Sequence, residues 1–153
     1  MSGRGFSFRE LTRADAEAIS RWKYPGPYSL YDGGGDADRL LEYTYFAGLD
    51  EEGGLIGFCC FGEDARVPGL DEEEGVLDVG AGLRPDVTGV GLGGPFLREA
   101  CRFGGELYNP SRFRVVIAAF NQRARMVAHA LGFEAEDTVR SDDNEFVVMT
   151  RVA

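Results

Sequence analysis

Glycines cluster in one short stretch of this sequence, in a pattern that is typical of phosphate binding. Residues 89–94 read Gly-Val-Gly-Leu-Gly-Gly, and a helical pattern begins within them. Glycine leaves backbone N–H groups unobstructed, and the helix dipole adds positive potential at an N-terminus, so a pyrophosphate can dock there. The alternative is purely structural, with the glycines allowing the helix to pack close to a sheet.

The same stretch contains the letters G-x-G-x-x-G, the fingerprint of dinucleotide-binding folds, but its surroundings do not fit. In that fingerprint the first glycine follows its strand at once, whereas residues 84–88 intervene here. The next strand ends in Phe120-Asn121 and brings no carboxylate to hold a ribose. No Gly-Lys-Ser/Thr follows either, which excludes a nucleoside triphosphate loop. A nicotinamide-dependent oxidoreductase is therefore disfavoured.

A single acid, Asp78, lies within the apolar strand pattern that runs from Val76 to Leu83. Asp78, Gly80 and Gly82 share one face of that strand. A glycine face lets a ligand or another chain approach the backbone, and a β-bulge there would splay the strand and free an amide. Burial makes a carboxylate a better proton acceptor, so Asp78 is the candidate general base. The alternatives are a solvated or salt-bridged Asp78, and glycines that only relieve crowding.

Metal chemistry is not expected from this composition. His129 is the only histidine, and Cys59, Cys60 and Cys101 lack the CxxC spacing of a zinc site. Adjacent cysteines on a strand point to opposite faces, so we interpret these as small buried apolar residues. We interpret His129 as a structural or surface residue.

The chain has 153 residues, and its 16 basic and 26 acidic side chains give a net charge of −10. A surface this negative repels phosphate backbones and anionic lipid headgroups, so neither nucleic acid nor a membrane is an expected partner. No apolar stretch approaches the ~20 residues that a membrane helix needs. We therefore expect a cytoplasmic protein.

The elements that must position these residues follow from hydrophobic periodicity and turn residues. Thr12 and Asp15 predict the capping box of the first helix. The predicted order is β-α-α-β-β-β-α-β-α-β-β, a mixed α/β (α+β) sheet in one domain over residues 1–153. Strands are predicted near residues 6–11, 43–49, 55–61, 75–83, 112–120, 137–140 and 145–152, and helices near 13–22, 37–42, from the glycine cluster to 103, and 121–131. The crossover from Leu83 to Arg112 is predicted to join parallel, right-handed strands.

Two motifs make the chain resemble the GNAT superfamily of N-acetyltransferases. Residues 83–93 (Leu-Arg-Pro-Asp-Val-Thr-Gly-Val-Gly-Leu-Gly) resemble its acetyl-CoA signature, Arg/Gln-x-x-Gly-x-Gly/Ala with a hydrophobic-x-Pro lead-in. Residues 119–124 (Ala-Phe-Asn-Gln-Arg-Ala) and 131–133 (Leu-Gly-Phe) resemble its later motif, Asn-x-x-Ala…Gly-Phe. The element order also matches, so the resemblance covers nearly the full chain. The closest pattern is that of ribosomal-protein-type acetyltransferases.

The resemblance implies direct attack by a primary amine on the thioester of acetyl-CoA, the acyl-donor substrate, with no metal. The acceptor is a small-molecule or peptide amine, and a homodimer is left open. The implied catalytic residues are Asp78, at a position where relatives often carry Glu, and Asn121, which is also an ideal N-cap. The implied acetyl-CoA contacts are Leu83, Thr88, Gly89, Val90, Gly91, Leu92, Gly93, Gly94, Asn121 and Arg123.

Two positions depart from the family pattern. Thr88 stands where Arg or Gln is usual, so the backbone would do more of the phosphate binding. Ala128 stands where many members carry a tyrosine that protonates the departing thiolate, so another group or water must do so, or the chain is a weak catalyst. A non-catalytic acyl-CoA-binding or regulatory module is therefore the alternative function.

Aromatic residues precede the glycine run at 33–35 and are candidates for the acceptor pocket. Aromatic faces and a nearby acid such as Asp32 suit a cationic amine. The alternative is a core cluster beneath the Gly33–Gly35 loop. The candidate substrate-binding residues are Trp22, Tyr24, Tyr28 and Tyr31.

Overall fold

The computed structural model describes residues 5–32 and 36–153, so the Gly33–Gly35 loop considered above lies outside the described residues. The strands are β1 Ser7–Glu10, β2 Tyr45–Leu49, β3 Leu55–Phe61, β4 Val76–Leu83, β5 Arg112–Ala118, β6 Glu134–Ser141 and β7 Asn144–Val152. The α-helices are α1 Arg13–Ser20, α2 Ala37–Glu42, α3 Gly93–Tyr108 and α4 Gln122–Ala130. Short 3-10 turns occupy Gly26–Tyr31, Gly62–Ala65 and Pro85–Val87.

All seven strands form one mixed sheet in the order β1-β2-β3-β4-β5-β7-β6, which confirms the predicted fold class and element order. Neighbouring strands are antiparallel except β4 and β5, which are parallel, as the predicted crossover requires. The capping box is also present: Thr12 accepts from the Asp15 N–H, and Asp15 accepts from the Thr12 N–H. The aromatic stretch predicted as a loop contains the 3-10 turn Gly26–Tyr31.

Helix α3 continues to Tyr108, five residues beyond the predicted end at Phe103. Gly104 and Gly105 suggest a helix stop in the sequence, but here they allow close packing. A Cβ atom at Gly104 would lie 2.4 Å from the ring of Phe61, so only glycine lets the helix approach β3 this closely. The helix ends instead at Asn109, which adopts a left-handed conformation with φ of 47°.

Strands β4 and β5 separate after only three register pairs, and this opens a gap in the middle of the sheet. Val76 pairs with Arg112, Leu77 with Phe113 and Asp78 with Arg114, and the parallel ladder stops there. Beyond that point β4 pairs only with β3, and β5 only with β7. We call the space between residues 79–83 and 115–118 the cleft, and the Asp78–Arg114 end its vertex.

The β-bulge predicted near Gly80 and Gly82 is wrong, because β4 keeps unbroken register with β3 from Val79 to Leu83. The glycine face is also filled from within the protein. A Cβ at Gly80 would lie 2.7 Å from Cys60 Sγ, and one at Gly82 would lie 2.5 Å from the Phe58 ring. These glycines relieve crowding, and the cleft arises from the divergence of β5.

The main core packs α3 and α4 against the sheet. It includes Phe61, Leu77 and Val79 from the strands and Ala100 and Ala128 from the helices. All three cysteines are free and buried, as predicted, and burial raises the pKa of Cys101 to about 11 and of Cys60 to about 12. Within residues 5–32 and 36–153, no helix is long and apolar enough to cross a membrane.

Candidate active site

The backbone of β4 presents hydrogen-bonding groups to the cleft at every second residue. The Arg84 N–H donates to the Ile56 carbonyl at 2.8 Å, so the even-numbered residues of this strand direct their backbone groups toward β3. By alternation, Val79, Ala81 and Leu83 direct theirs toward the cleft. Because β5 has diverged there, these N–H and C=O groups have no strand partner on that side.

The glycine segment, residues 89–94, follows β4 after residues 84–88 and lies at the mouth of the cleft, which is the end opposite the vertex. Gly89 and Gly91 have φ values of 74° and 86°, a left-handed conformation that favours glycine. Helix α3 begins at Gly93, and its N-cap Leu92 makes no side-chain cap. The first N–H groups of the helix are therefore open to a ligand. A Cβ at Gly91 would meet nothing within 4 Å, so the space over this turn is open.

Position 88 contributes no cation, and a neighbouring helix supplies one instead. The Thr88 hydroxyl donates back to the Pro85 carbonyl at 2.9 Å, which uses its proton. Arg123, in the first turn of α4, has a terminal nitrogen 3.0 Å from where a Cβ of Gly89 would lie. Its guanidinium also lies over the Tyr28 ring, 5.0 Å from the centroid. The structure thus brings Arg123 to the glycine segment.

Tyr24 contacts the β4 side of the cleft mouth. Its hydroxyl donates to the Leu83 carbonyl at 2.6 Å, and its backbone N–H donates to Asp32 Oδ1 at 2.8 Å. Burial, and secondarily the charge of Asp32, raises the pKa of Tyr24 to about 12. This phenol therefore stays protonated, with its proton already donated to Leu83.

Tyr31 contacts the β5 side of the mouth through Asn121. The Asn121 side chain caps α4 by accepting from the Ala124 N–H at 3.1 Å, and its amide nitrogen donates to the Tyr31 hydroxyl at 3.2 Å. The Tyr28 and Tyr31 rings pack against Phe120, with centroids 5.5 and 6.3 Å away. Residues 24–31, which we call the aromatic segment, therefore bridge the two sides of the cleft.

Trp22 does not belong with these tyrosines. It is 9 % exposed and packs toward Phe58 on β3, with ring centroids 6.3 Å apart. The prediction of Trp22 as an acceptor-binding residue is therefore wrong. Its indole is buried and packs against the face of β3 that lies opposite α3.

Asp78 is not a free carboxylate, and its prediction as the general base is corrected on that ground. It is 1 % exposed, with Oδ1 2.6 Å from Arg114 Nε and Oδ2 2.9 Å from an Arg66 guanidinium nitrogen. Both oxygens are held by permanently charged donors, so neither can accept a proton from a substrate amine without breaking a buried ion pair. Sequence reasoning missed Arg66 and Arg114, since only the strand register shows that Arg114 lies beside Asp78.

Helix α4 offers no hydroxyl to the cleft. Ala128 is fully buried in the main core, and no residue from Gln122 to Ala130 is Ser, Thr or Tyr. His129 is exposed, as predicted. The described residues hold no group of three or more His, Cys, Asp or Glu side chains placed to bind a metal ion.

The separation of a parallel strand pair beside an uncapped, glycine-rich helix N-terminus gives this α/β sheet an open cleft next to a potential anion site. The profile of the acetyltransferase (GNAT) domain matches residues 6–134, so this chain belongs to the GNAT acetyltransferase family. Comparison with curated proteins gives no significant match.

Similar solved structures share the fold at low identity. A spermidine N-acetyltransferase SpeG chimera from Vibrio cholerae and hSSAT has a TM-score of 0.76 at 16% identity, covering 96% of this chain and 95% of that one. The ribosomal-protein-S5-alanine acetyltransferase from Vibrio fischeri has a TM-score of 0.65 at 18% identity, covering 96% and 92%. An acetyltransferase (GNAT family) from Bacillus anthracis has a TM-score of 0.72 at 13% identity, covering 96% and 94%.

Proposed function

We propose that this protein transfers an acetyl group from acetyl-CoA to a primary amine by direct attack on the thioester. The observation that carries the proposal is the cleft, which opens between β4 and β5 immediately beside the glycine segment. A pyrophosphate on the amides of residues 91–94 would lead its pantetheine arm past Leu83 into the cleft. The cleft-facing backbone groups of β4 would then pair with the amide groups of that arm.

Within the cleft, the reaction needs a polarised thioester carbonyl and a neutral amine. The N–H groups of Val79 and Ala81 face the cleft and can donate to the carbonyl oxygen as negative charge develops on it. The amine nitrogen bonds to the carbonyl carbon, the carbon–sulfur bond breaks, and the electron pair leaves with sulfur. Since Asp78 is held in ion pairs, we assign removal of the amine proton to water at the cleft mouth.

The donor-binding residues in this proposal keep the sequence prediction, with roles adjusted to the geometry. Thr88 acts through its backbone, because its hydroxyl is bonded to Pro85. Arg123 supplies the positive charge that residue 88 does not. The full set remains Leu83, Thr88, Gly89, Val90, Gly91, Leu92, Gly93, Gly94, Asn121 and Arg123.

The acceptor in this proposal is a cationic amine, either a small molecule or a peptide. A surface cavity of about 450 Å³ is bordered by Glu63, Asp64, Asp71 and Glu72 against only two arginines, Arg39 and Arg66. Arg66 lines this cavity and also donates to Asp78 at the vertex, so the cavity borders the vertex end of the cleft. Its carboxylates would attract a positive acceptor. Two neighbours described above are named for spermidine and for a protein alanine, both of which are amine acceptors.

Binding of the donor should appear as thermal stabilisation. A ligand that binds only the folded state adds RT ln(1 + [L]/Kd), so CoA at about 100 times its Kd should add about 2.7 kcal/mol and raise the melting temperature. NADH is the control, since it shares an adenine nucleotide and a pyrophosphate but has no pantetheine arm for the cleft. The measurement is differential scanning calorimetry with each ligand. An equal or larger shift with NADH contradicts the proposal.

A non-catalytic acyl-CoA-binding module is the second candidate, favoured by the buried Ala128 and the occupied Thr88 hydroxyl. The two functions separate in a thiol-release assay with acetyl-CoA and a panel of peptide N-termini, polyamines and small primary amines. Release of CoA that depends on an added amine supports the transferase. Tight CoA binding without release from any amine supports the module.

A further inference from the structure

A second surface cavity, of about 410 Å³, carries positive charge although the protein as a whole has a net charge of −10. It lies where α3 meets the start of β5 and the end of β7. Three arginines line it, Arg98 and Arg102 from α3 and Arg151 from β7, and no acid is among its described lining residues. Arg98 and Arg102 are four residues apart on one face of the helix, a spacing at which like charges are destabilising. An anion bound between them would remove that repulsion.

Arg151 lies where the alternation of β7 predicts an apolar side chain. Met149, two residues earlier and on the same face, belongs to the main core. The Arg151 guanidinium carbon instead lies over two buried rings, 5.4 Å from the centroid of Phe113 and 5.5 Å from that of Phe133. One guanidinium nitrogen donates to the Leu131 carbonyl at 3.0 Å, at the C-terminal end of α4. The side chain is therefore held in place by neutral groups, which leaves its positive charge available to a ligand.

Acids on α3 approach Arg102 without fixing it. Its guanidinium lies 3.6 Å from Glu99 and 3.6 Å from Glu106, and both distances are longer than a hydrogen bond. The side chains of Arg102 and Glu106 are 69% and 71% exposed, so water screens this pair. Burial raises the pKa of the Cys101 thiol, which lines the cavity, to about 11, and the charge of Arg151 acts against that rise. The positive field of Arg151 therefore reaches the cavity wall.

The cavity is separate from the proposed donor site. Arg102 follows Gly93 by nine residues, which places it about 13 Å along the helix axis from the start of α3. Phe113, which lines the cavity, pairs with Leu77 beside the vertex, at the end of the cleft opposite its mouth. An anion in this cavity would therefore leave residues 91–94 open to the pyrophosphate.

We propose that Arg98, Arg102 and Arg151 form a binding site for a small multivalent oxyanion, a molecule with two or more phosphate or carboxylate groups. The planar guanidinium fork suits both groups, because it donates two parallel N–H bonds to a pair of oxygens. The cavity volume lies within the range of small-molecule pockets, about 300–1,000 Å³. A bound anion joins α3 to β7, so it stabilises the folded state.

The first test is calorimetric titration of the full chain with inorganic pyrophosphate and, separately, with citrate. The anion that binds more tightly identifies the preferred group, phosphate or carboxylate. The double variant Arg98→Gln, Arg102→Gln should weaken binding by about tenfold or more, because two charge-assisted contacts are lost. The control is Arg13→Gln, Arg21→Gln, which removes two exposed arginines at α1 and so makes the same change in net charge. It should change the affinity by less than about twofold, since these charges are remote and screened.

The second test separates this cavity from the glycine segment, which binds pyrophosphate in the proposed function. The pyrophosphate titration is repeated with Gly91→Val, and binding to the cavity should survive that substitution. Modification of the arginines by phenylglyoxal, followed by mass spectrometry, then locates the bound anion. Either anion should slow the modification of Arg98 and Arg102 and leave that of Arg21 unchanged.

The outcomes distinguish this inference from the proposed function. If the wild-type protein binds neither anion at millimolar concentration, or if both double variants lose affinity equally, the arginine cavity is not an anion site. If pyrophosphate is the only anion bound and Gly91→Val alone abolishes its binding, the anion lies on the glycine segment and the inference is overturned. If CoA does not bind but citrate binds and protects Arg98 and Arg102, the proposed function fails and this inference stands.

Discussion

Asp78→Asn is expected to destabilise the protein by about 3–5 kcal/mol, because it breaks a buried ion pair. The substitution removes the charge that neutralises the buried Arg114 guanidinium, of which only 6 % of the side chain is exposed. A guanidinium cannot lose its proton, so Arg114 would stay charged in the interior with only the exposed Glu73 carboxylate, 3.7 Å away, as its counter-ion. The same substitution releases Arg66. The measurement is urea unfolding at neutral pH.

Asp38→Asn is the matched control for that prediction. It makes the same chemical change in the exposed Arg13–Asp38 ion pair, whose side chains are 60% and 75% exposed. Such pairs add little to stability, so the unfolding midpoint should barely move. An Asp78→Asn protein that is as stable as wild type but has no turnover would contradict a structural role for the ion pairs of Asp78 with Arg66 and Arg114. That result would restore Asp78 as the general base.

Gly91→Val is expected to abolish measurable CoA binding while the protein still folds. The residue has φ of 86°, and its Cβ would project into open space over the turn that leads into α3. That space is where the proposed pyrophosphate lies, so a branched side chain excludes the ligand and also strains the turn. The strain costs about 1–3 kcal/mol, which a folded domain tolerates. Isothermal titration with CoA and thermal melting of the same sample measure both effects.

Gly53→Val provides the control for backbone strain. Gly53 has φ of 84° and an equally open Cβ position, but it lies in the turn between β2 and β3. The two variants should lose similar stability, and only Gly91→Val should lose CoA binding. A folded Gly91→Val protein with wild-type affinity would place the phosphates elsewhere.

The fold was predictable because its signals are local. The Thr12–Asp15 capping box, the alternation in the strands and the glycine segment before α3 each depend on neighbours in the sequence, and each is present in the structure. The motifs also singled out Asn121, which contacts Tyr31, and Arg123, which lies beside Gly89.

The parts of the site that were missed depend on register between distant strands. Nothing local shows that Asp78 lies beside Arg114, which is 36 residues away, or that Phe58 fills the space above Gly82. An acid on a glycine face therefore suggested a buried carboxylate able to accept a proton, whereas the register pairs Asp78 with Arg114. Trp22 was misplaced for the same reason, since its partner Phe58 is on a strand that follows much later.

The three register pairs at the vertex also bear on the cooperativity of the molecule. Strands β1 to β4 form one half of the sheet and β5 to β7 the other, and the ladder between the halves is the short parallel one. Sub-global opening follows the boundaries of weakly connected units, so native-state hydrogen exchange should resolve two cooperative units that divide between β4 and β5. A pantetheine arm bonded within the cleft would act as an additional strand between them. Acetyl-CoA would then complete the sheet as well as supply the acetyl group.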